Sequence, residues 1–593
     1  MLYLSNKFGV NRGSLFFVLI YALSSWGNLS TALCKENSVI IIFLLLVISI
    51  LWVVPGLKIS LPPSLKFSEV VYVLFAVCVI TKNIVANTID FTSAGYLVFF
   101  MVLYFSLKTI FVLNSISTYL PALIMATAII LSGYIFFAIF HCYFQKETLT
   151  SFFIPNKSIF SILLASQIAF LFPIVNFYKQ HKILSTLSTR FFIGLIAASV
   201  ILLGFTQGRA GCIGLAIAIA YIAYQYVSAT NFKRIVLFMT LPAIVFLTTV
   251  IFLYKSDSSS GRLLIYKVSA VMLKENLLWG IGHGQFKIQY NQYQASYFAA
   301  HNIDSKEALL ADNTFYAFND FLQGIIENGL IALLFLAAII FLLVLQIKKA
   351  KTNASNKHFF TASVASLLCI LTGALFSYPL QILPIAIQAT LCLCIINSFE
   401  TGKEFQIELS EMGRNIAGGM LILLSTLLLI HFSFYFNNKR ETNQAFELKR
   451  AGFRQKAIEK YRNLNSSYIQ EGNMLYLYAQ ELYYINQPTQ AREILNRAKK
   501  FYCTNEVYKL SAAIESELKN YKQAEADYKT AINMVPNRMG SRSELFEFYL
   551  ERKDTATAIY WANSILNMQV KVASQKTKNI RQRTKEILKG LIN

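Results

Sequence analysis

The feature that most constrains this chain is a series of apolar runs between residues 14 and 436. Each is close to the ~20 residues that a helix needs to cross a bilayer. Hydrocarbon offers the backbone no water to bond, so each run must satisfy its own N–H and C=O groups as a helix. The runs fall at roughly 14–30, 37–56, 68–84, 93–112, 119–140, 158–177, 190–206, 211–228, 235–254, 319–346, 359–378, 380–397 and 415–436. The expected fold is all-α: a polytopic transmembrane bundle of about 12–13 spans. Composition agrees, with 14% charged residues against about 25% in a soluble domain. Disordered, collagenous and disulfide-scaffold classes are excluded.

Beyond residue 436 the character changes. Residues 437–593 hold 27 Lys/Arg, 16 Asp/Glu and no run of span length. Two domains follow: a membrane body, 1–436, and a soluble helical domain, 437–593. The net charge of +23 is read as loop topology and contact with anionic lipid, not as nucleic-acid binding. Cysteines are scattered, and Cys392 and Cys394 form a C-x-C with no histidine nearby, which is not a zinc pattern. Met1–Gly13 is weakly basic and lacks a small-residue cleavage site, so it reads as the lead into a retained first helix.

Loop charge sets orientation. The N-terminal segment and the loops around Lys58–Lys66, Lys179–Arg190, Lys233–Arg234 and Lys348–Lys357 are basic, hence cytoplasmic. The loops 31–36, 85–92, 141–157, 207–210 and 255–318 and the turn near Pro379 then face outward. The loop 255–318 is far longer than an ordinary connection, which marks it as functional. Span parity puts the C-terminal domain outside as well. That domain repeats: Ala457/Tyr461/Leu464, Ala491/Leu495/Ala498, Ala524/Tyr528/Ala531 and Ala558/Ala562/Ile565 recur at steps of 34, 33 and 34 residues. The pattern looks like the tetratricopeptide repeat, a helix pair whose small residues allow close packing. Such an array reads as a scaffold for a protein or peptide partner, with an ordinary helical bundle as the plainer alternative.

Several chemistries lack their motifs. There is no G-x-x-x-x-G-K-[ST], D-x-D, G-x-S-x-G or H-E-x-x-H, so an enzyme here would draw on an activated substrate, with no metal, cofactor or ATP. Arg209 sits in Thr206-Gln-Gly-Arg-Ala-Gly-Cys212 between two spans. There Gly208 and Gly211 are expected to expose backbone N–H groups beside the guanidinium at a helix start, an oxyanion or phosphate site; the plainer alternative is an arginine reaching lipid headgroups. Arg262 follows Ser258-Ser-Ser-Gly and reads as a second helix start with a cation, or as a solvated loop residue. Gly280-Ile-Gly-His-Gly-Gln-Phe286 resembles a nucleotide loop only superficially; a turn closely approaching another element is the better reading. Tyr290, Tyr293 and Tyr297 recur at helical spacing and suit sugar stacking or a membrane interface. Asp312, Asp320 and Glu327 precede or enter the span at 319–346, each a general base or a helix-start carboxylate.

The order of these features resembles the O-antigen ligase family, which also takes in O-antigen polymerases and protein O-oligosaccharyltransferases. An arginine in a tight outer turn precedes a large outer loop opening with Ser-Gly-Arg, then G-x-G-x-G-x-F, then a segment ending Glu-x-Gly. The resemblance covers about residues 190–397. The family's His-Asn, nine residues, then Gly is matched by Asn319 and Gly329, with Phe318 at the histidine position. Phenylalanine cannot accept a proton, so either another residue takes that role, with His301, Asp312, Asp320 and Glu327 as candidates, or the activity is altered.

The resemblance implies transfer of a glycan from undecaprenyl diphosphate to an acceptor hydroxyl, lipid A-core in a ligase, at the periplasmic face of a Gram-negative inner membrane. Arg209 and Arg262 would stabilise the leaving diphosphate. Asp312, Asp320 or Glu327 would take the proton. Asn319, Tyr290, Tyr293 and His301 would contact substrate. A second lipid-linked glycan or a protein hydroxyl are alternative acceptors, and a non-catalytic scaffold displaying the repeats is the alternative outside enzymes.

Overall fold

A computed structural model describes residue 45 and residues 64–86, 91–113, 116–144, 156–180, 186–226, 256–350, 354–399, 406–465, 471–570 and 573–592. The expected spans 14–30 and 235–254, and 37–56 apart from Leu45, lie outside the described residues. Those residues form twenty helices: α1 Phe67–Val85, α2 Phe91–Leu113, α3 Ile116–Phe144, α4 Lys157–Gln180, α5 Thr186–Thr206, α6 Arg209–Tyr226, α7 Ser256–Glu275, α8 Phe286–Ala300, α9 Asp320–Lys349, α10 Ala354–Ala374, α11 Leu383–Ser398, α12 Glu411–Arg450, α13 Arg454–Asn465, α14 Gly472–Tyr484, α15 Pro488–Ala498, α16 Asn505–Glu517, α17 Tyr521–Met534, α18 Met539–Glu551, α19 Thr555–Asn567 and α20 Gln575–Ile592. Two three-residue strands, β1 Ser64–Lys66 and β2 Gln406–Glu408, pair antiparallel with Leu65 opposite Ile407. The protein is all-α. Among the described residues, seven helices are long and apolar enough to cross a membrane.

The chain divides into two compact units: Met1–Tyr254, Phe318–Ile325 and Leu330–Ser433 form one, and Lys255–Ala317, Ile326–Gly329 and Phe434–Asn593 form the other. In the first, α4 is buried almost throughout, and α6 and α10 pack against it. Glycines make that closeness possible. A Cβ on Gly211 would lie 2.3 Å from the Ser161 carbonyl oxygen, and one on Gly214 would lie 2.8 Å from that of Cys369. In a membrane, where lipid is as apolar as leucine, small residues and buried polar pairs supply the association that hydrophobicity cannot. Gln388 of α11 meets this need, accepting from Gln167 Nε2 on α4 (3.3 Å) and donating to Ser366 Oγ on α10 (3.1 Å).

Hydrogen bonds sort the loops of this unit into two ends. At one, β1 pairs with β2, Lys66 Nζ donates to the Phe399 carbonyl, Gln346 to Ser68 Oγ and Lys357 to the Gln225 carbonyl. At the other, Asn156 donates to Tyr378 Oη, Gly211 N to Ser161 Oγ and Leu380 N to Asp320. The first end gathers the lysines around 66 and 357.

The second unit holds a helical array from the end of α12 through α20. The lead alanines 457, 491, 524 and 558 are all fully buried, so neighbouring helices meet with only a methyl group between them. Each hairpin turns through a left-handed residue: Gly452, Asn486, Lys519 and Lys553 have φ between 59° and 87°. Behind each turn a backbone N–H reaches back to the last helical turn: Phe453 to Leu448, Gln487 to Leu482, Asn520 to Glu515 and Asp554 to Tyr549. These close carbonyls that the helix end would leave open.

Candidate functional site

The site residues of the first unit lie around two turns. α5 ends at Thr206, Gln207 takes a left-handed φ of 52°, and α6 begins at Arg209. The flanking glycines do not present free N–H groups, contrary to the expectation from sequence. Gly208 N donates to Thr206 Oγ1 (3.1 Å) and Gly211 N to Ser161 Oγ (3.2 Å), and a Cβ on Gly208 would come within 2.2 Å of Ser161. These glycines serve close packing and leave the half-buried Arg209 side chain as the cation of the turn.

At the second turn Phe318 is held at φ 53° with its ring edge-on to Tyr378, centroids 5.4 Å apart. A bulky residue at positive φ costs energy and is uncommon. Asn319 caps α9, its Oδ1 accepting from Leu322 N (3.0 Å). Asp320 Oδ2 accepts from Leu380 N (2.8 Å).

In the second unit the glycine run folds onto Ile326–Gly329. Gly280, Gly282 and Gly284 have φ of 68°, 112° and 77°. Ile281 N donates to the Ile326 carbonyl (3.0 Å) and Gly282 N to that of Glu327 (2.9 Å). Gly329, at φ 74°, breaks α9, and a Cβ there would sit 2.2 Å from the Leu278 carbonyl oxygen. The G-x-G-x-G run and the Glu-x-Gly segment therefore form one interlock, the close backbone approach expected of the glycines.

The interlock fixes Glu327. Its carboxylate is buried, Oε2 accepting from Gly284 N (2.9 Å) and Oε1 from Phe286 N (3.3 Å). His283 Nδ1 lies 3.4 Å from Oε2, with the imidazole about a quarter exposed. A buried carboxylate thus lies within ion-pair distance of a partly exposed imidazole, a residue type able to take a proton. His283 appeared in the sequence only as one letter of a glycine run. Nothing local distinguishes it, because its partner is supplied by a distant segment.

The other expected residues go elsewhere. Arg262 is not at a helix start: α7 begins at Ser256, so Arg262 is in its second turn, beside Tyr266. Burial raises the Tyr266 hydroxyl above its ordinary range while Arg262 pulls it down. Tyr290 is fully buried, its ring against Phe286 and its hydroxyl donating to Gln294, so it offers a glycan no stacking face. Tyr293 donates to Glu275 Oε2 (2.8 Å) and accepts from Asn276; burial and then Glu275 raise its hydroxyl. Tyr297 donates to Glu307 Oε2 (2.9 Å) and stacks on His301, whose Nδ1 meets the Tyr297 carbonyl. Asp312 pairs with Arg538 at 2.9 Å. Asp312 and Asp320 thus have separate anchors. Among the described residues, no group of three or more His, Cys, Asp or Glu side chains could hold a metal ion.

Residues 191–337 match the family described as O-antigen ligase. The matched stretch contains Arg209, Arg262, the glycine interlock, His283 and Glu327. It supports the O-antigen ligase family and, in general terms, a ligase- or polymerase-like glycan-transfer function in a membrane-embedded protein. No curated protein matches the chain.

Proposed function

We propose that this protein transfers a glycan from undecaprenyl diphosphate to an acceptor hydroxyl, with lipid A-core as acceptor, at the periplasmic face of the inner membrane. The observation that carries the reading is the family match over 191–337, which contains both arginines and the glycine interlock. The acceptor oxygen bonds to the anomeric carbon as the bond from that carbon to the diphosphate oxygen breaks. The diphosphate leaves with the electron pair, and Arg209 and Arg262 stabilise its charge. The acceptor proton passes to His283, oriented by Glu327, a role consistent with Phe318 at the family's histidine position. The reaction as drawn uses no metal, cofactor or ATP. Asn319, Tyr293 and His301 remain candidates for substrate contact, and Asp312 and Asp320 for positioning it. The array is read as tetratricopeptide-like, on the buried lead alanines and recurrent turns.

The test is transfer by the purified full chain from undecaprenyl-diphosphate-linked glycan to lipid A-core. Arg209→Ala and Arg262→Ala should each abolish turnover, and His283→Ala should lower kcat by about 10²–10⁴-fold. Transfer only to a second lipid-linked glycan would make the protein a polymerase, and transfer only to a serine or threonine side chain a protein transferase. Absence of transfer to all three acceptors would overturn the enzymatic reading in favour of the scaffold that Phe318 suggests.

A further inference from the structure

Within the second unit, the long loop is bonded to the helical array along α8, at Ile303 and Asp304, and through an irregular strip of chain. Between the short 3₁₀ turn Ala308–Leu310 and Ala317 the backbone has no regular structure, so its polar groups need partners from elsewhere. The array supplies them. Asn537 Nδ2 donates to the carbonyls of Leu309 (2.9 Å) and Ala311 (2.7 Å). Arg538 pairs with Asp312, and Asn505 makes a reciprocal pair with Asn313, its backbone N donating to Oδ1 (3.3 Å) and its Oδ1 accepting from Nδ2 (2.8 Å). Phe315 stacks parallel to Tyr502 with centroids 6.4 Å apart.

These contacts share one register. Tyr502–Asn505 is the turn entering α16, and Asn537–Arg538 is the turn entering α18. They are successive turns on one edge of the array, joined by Arg538 Nη1 donating to Asn505 Oδ1 (3.4 Å). Helix α8 covers the strip from the other side. Asn291 donates to the Cys503 carbonyl (2.7 Å) and accepts from Thr314 N (2.9 Å), and Gln294 donates to the Asp312 and Met534 carbonyls. Ala295 packs on Cys503, Met534 and Val535, leaving the Cys503 thiol fully buried. In the first turn of α18, the fully buried Arg542 pairs with Asp304 (2.8 Å) and donates to the Ile303 carbonyl.

Backbone carbonyls read by an amide side chain, one acidic residue read by an arginine and one aromatic ring stacked on another constitute recognition of an extended peptide. We propose that residues 309–315 are an in-cis peptide ligand of the array, seated on the turns entering α16 and α18. By occupying that edge they bar it to other extended peptides of the same chemistry, an acidic residue followed at the third position by an aromatic. Asn505, Asn537 and Arg538 are then positioning residues for the loop that carries Arg262 and His283, a role that rests on the transfer reading above. The array holds its own loop rather than standing open for a recruited partner at this edge.

The test uses the full chain in detergent and a fluorescent synthetic peptide of residues 306–317. In the variant Asn313→Ala/Phe315→Ala the resident strip is weakened while the edge is intact. That variant should bind the peptide at least about tenfold more tightly than wild type, because a site occupied in cis is only fractionally available. Adding Asn537→Ala/Arg538→Ala should abolish the gain. Hydrogen–deuterium exchange of residues 309–315 reports release separately: wild type should stay protected and Asn313→Ala/Phe315→Ala should exchange faster.

In the transfer assay Asn537→Ala/Arg538→Ala should lower kcat with donor KM little changed, and Arg538→Lys should restore part of it. No peptide binding by the weakened variant, or residues 309–315 equally protected in it, would overturn the in-cis ligand. An unchanged kcat in Asn537→Ala/Arg538→Ala whose residues 309–315 have lost protection would overturn the positioning role. Failure of the transfer reading itself would appear as a wild type without turnover, while the peptide and exchange results stand on their own.

Discussion

Glu69 and Glu327 are both nearly sealed from solvent, at 3% and 4% exposure, and their surroundings differ in kind. Glu69, on α1 in the first unit, accepts from Lys66 N and Tyr104 Oη and forms an ion pair with Lys108 Nζ on α2. Asn397 donates to the same tyrosine, tying in α11. Burying a charge is expensive, and here a buried cation and hydroxyl offset it across three helices. Glu327, in the second unit, is held by backbone N–H groups, and the side chain beside it is the partly exposed imidazole of His283. The first arrangement joins helices, its carboxylate taken up by a lysine and a hydroxyl. The second sets a carboxylate held by the backbone beside a partly exposed imidazole. Burial alone therefore does not mark a reactive carboxylate; the nature of its partner does.

Removing the cation from the first arrangement should produce the largest effect. Lys108→Leu strands Glu69 and should cost about 3–5 kcal/mol, read as a lowered melting temperature in detergent. Glu69→Leu/Lys108→Leu should recover most of it, since two apolar residues leave no orphan charge. A double variant as unstable as the single would mean that the pair is more than a helix clasp.

The next comparison exchanges stability for rate. Glu327→Gln keeps the side-chain shape but removes the charge and turns an amide N–H₂ toward a backbone N–H of the interlock. Transfer should fall about 10²-fold, with a smaller loss of melting temperature than Lys108→Leu. Glu69→Gln should do the reverse, lowering the melting temperature while the rate per folded molecule holds. Equal rate losses from both variants would erase the distinction between the two carboxylates.

The outcome at Glu327 also bears on what could be read from sequence. Spans such as 68–84 and 158–177 were legible because a bilayer leaves a run of that length one backbone solution, and α1 and α4 follow them closely. The glycine run was legible as a close approach, but not what it approaches, since Gly280 and Glu327 meet only in three dimensions. Hydropathy reads straight through Gly329, where the backbone leaves the helix. Ser258-Ser-Ser-Gly has the composition of a helix start, yet α7 begins earlier, at Ser256, and places Arg262 in its second turn. Periodicity found the alanines of the array, because packing repeats with the sequence. It could not find Asn505, Asn537 and Arg538, whose partners lie in a segment outside the repeat.

The smallest effect concerns a surface pair, and it sharpens the contrast between sealed and open charges. Glu307 is paired with Lys267 and accepts from Tyr297 in the second unit, and it remains more than a third exposed. Hydrogen bonding from Lys267 first, and then from Tyr297, holds its carboxyl below the usual carboxylate value against a burial effect in the other direction. A carboxyl with a depressed folded-state value contributes stability above its unfolded value and loses it as pH falls through the lowered one. Water and salt screen an open pair, so the contribution is small. At neutral pH Glu307→Gln should lower the melting temperature by roughly a degree, and the difference from wild type should fade as pH falls from the ordinary carboxylate value through the lowered one. It should shrink in high salt as well, whereas the loss caused by Lys108→Leu, out of reach of mobile ions, should be unchanged by salt. A salt-insensitive Glu307→Gln effect would place that carboxylate with the sealed pair instead of the open one.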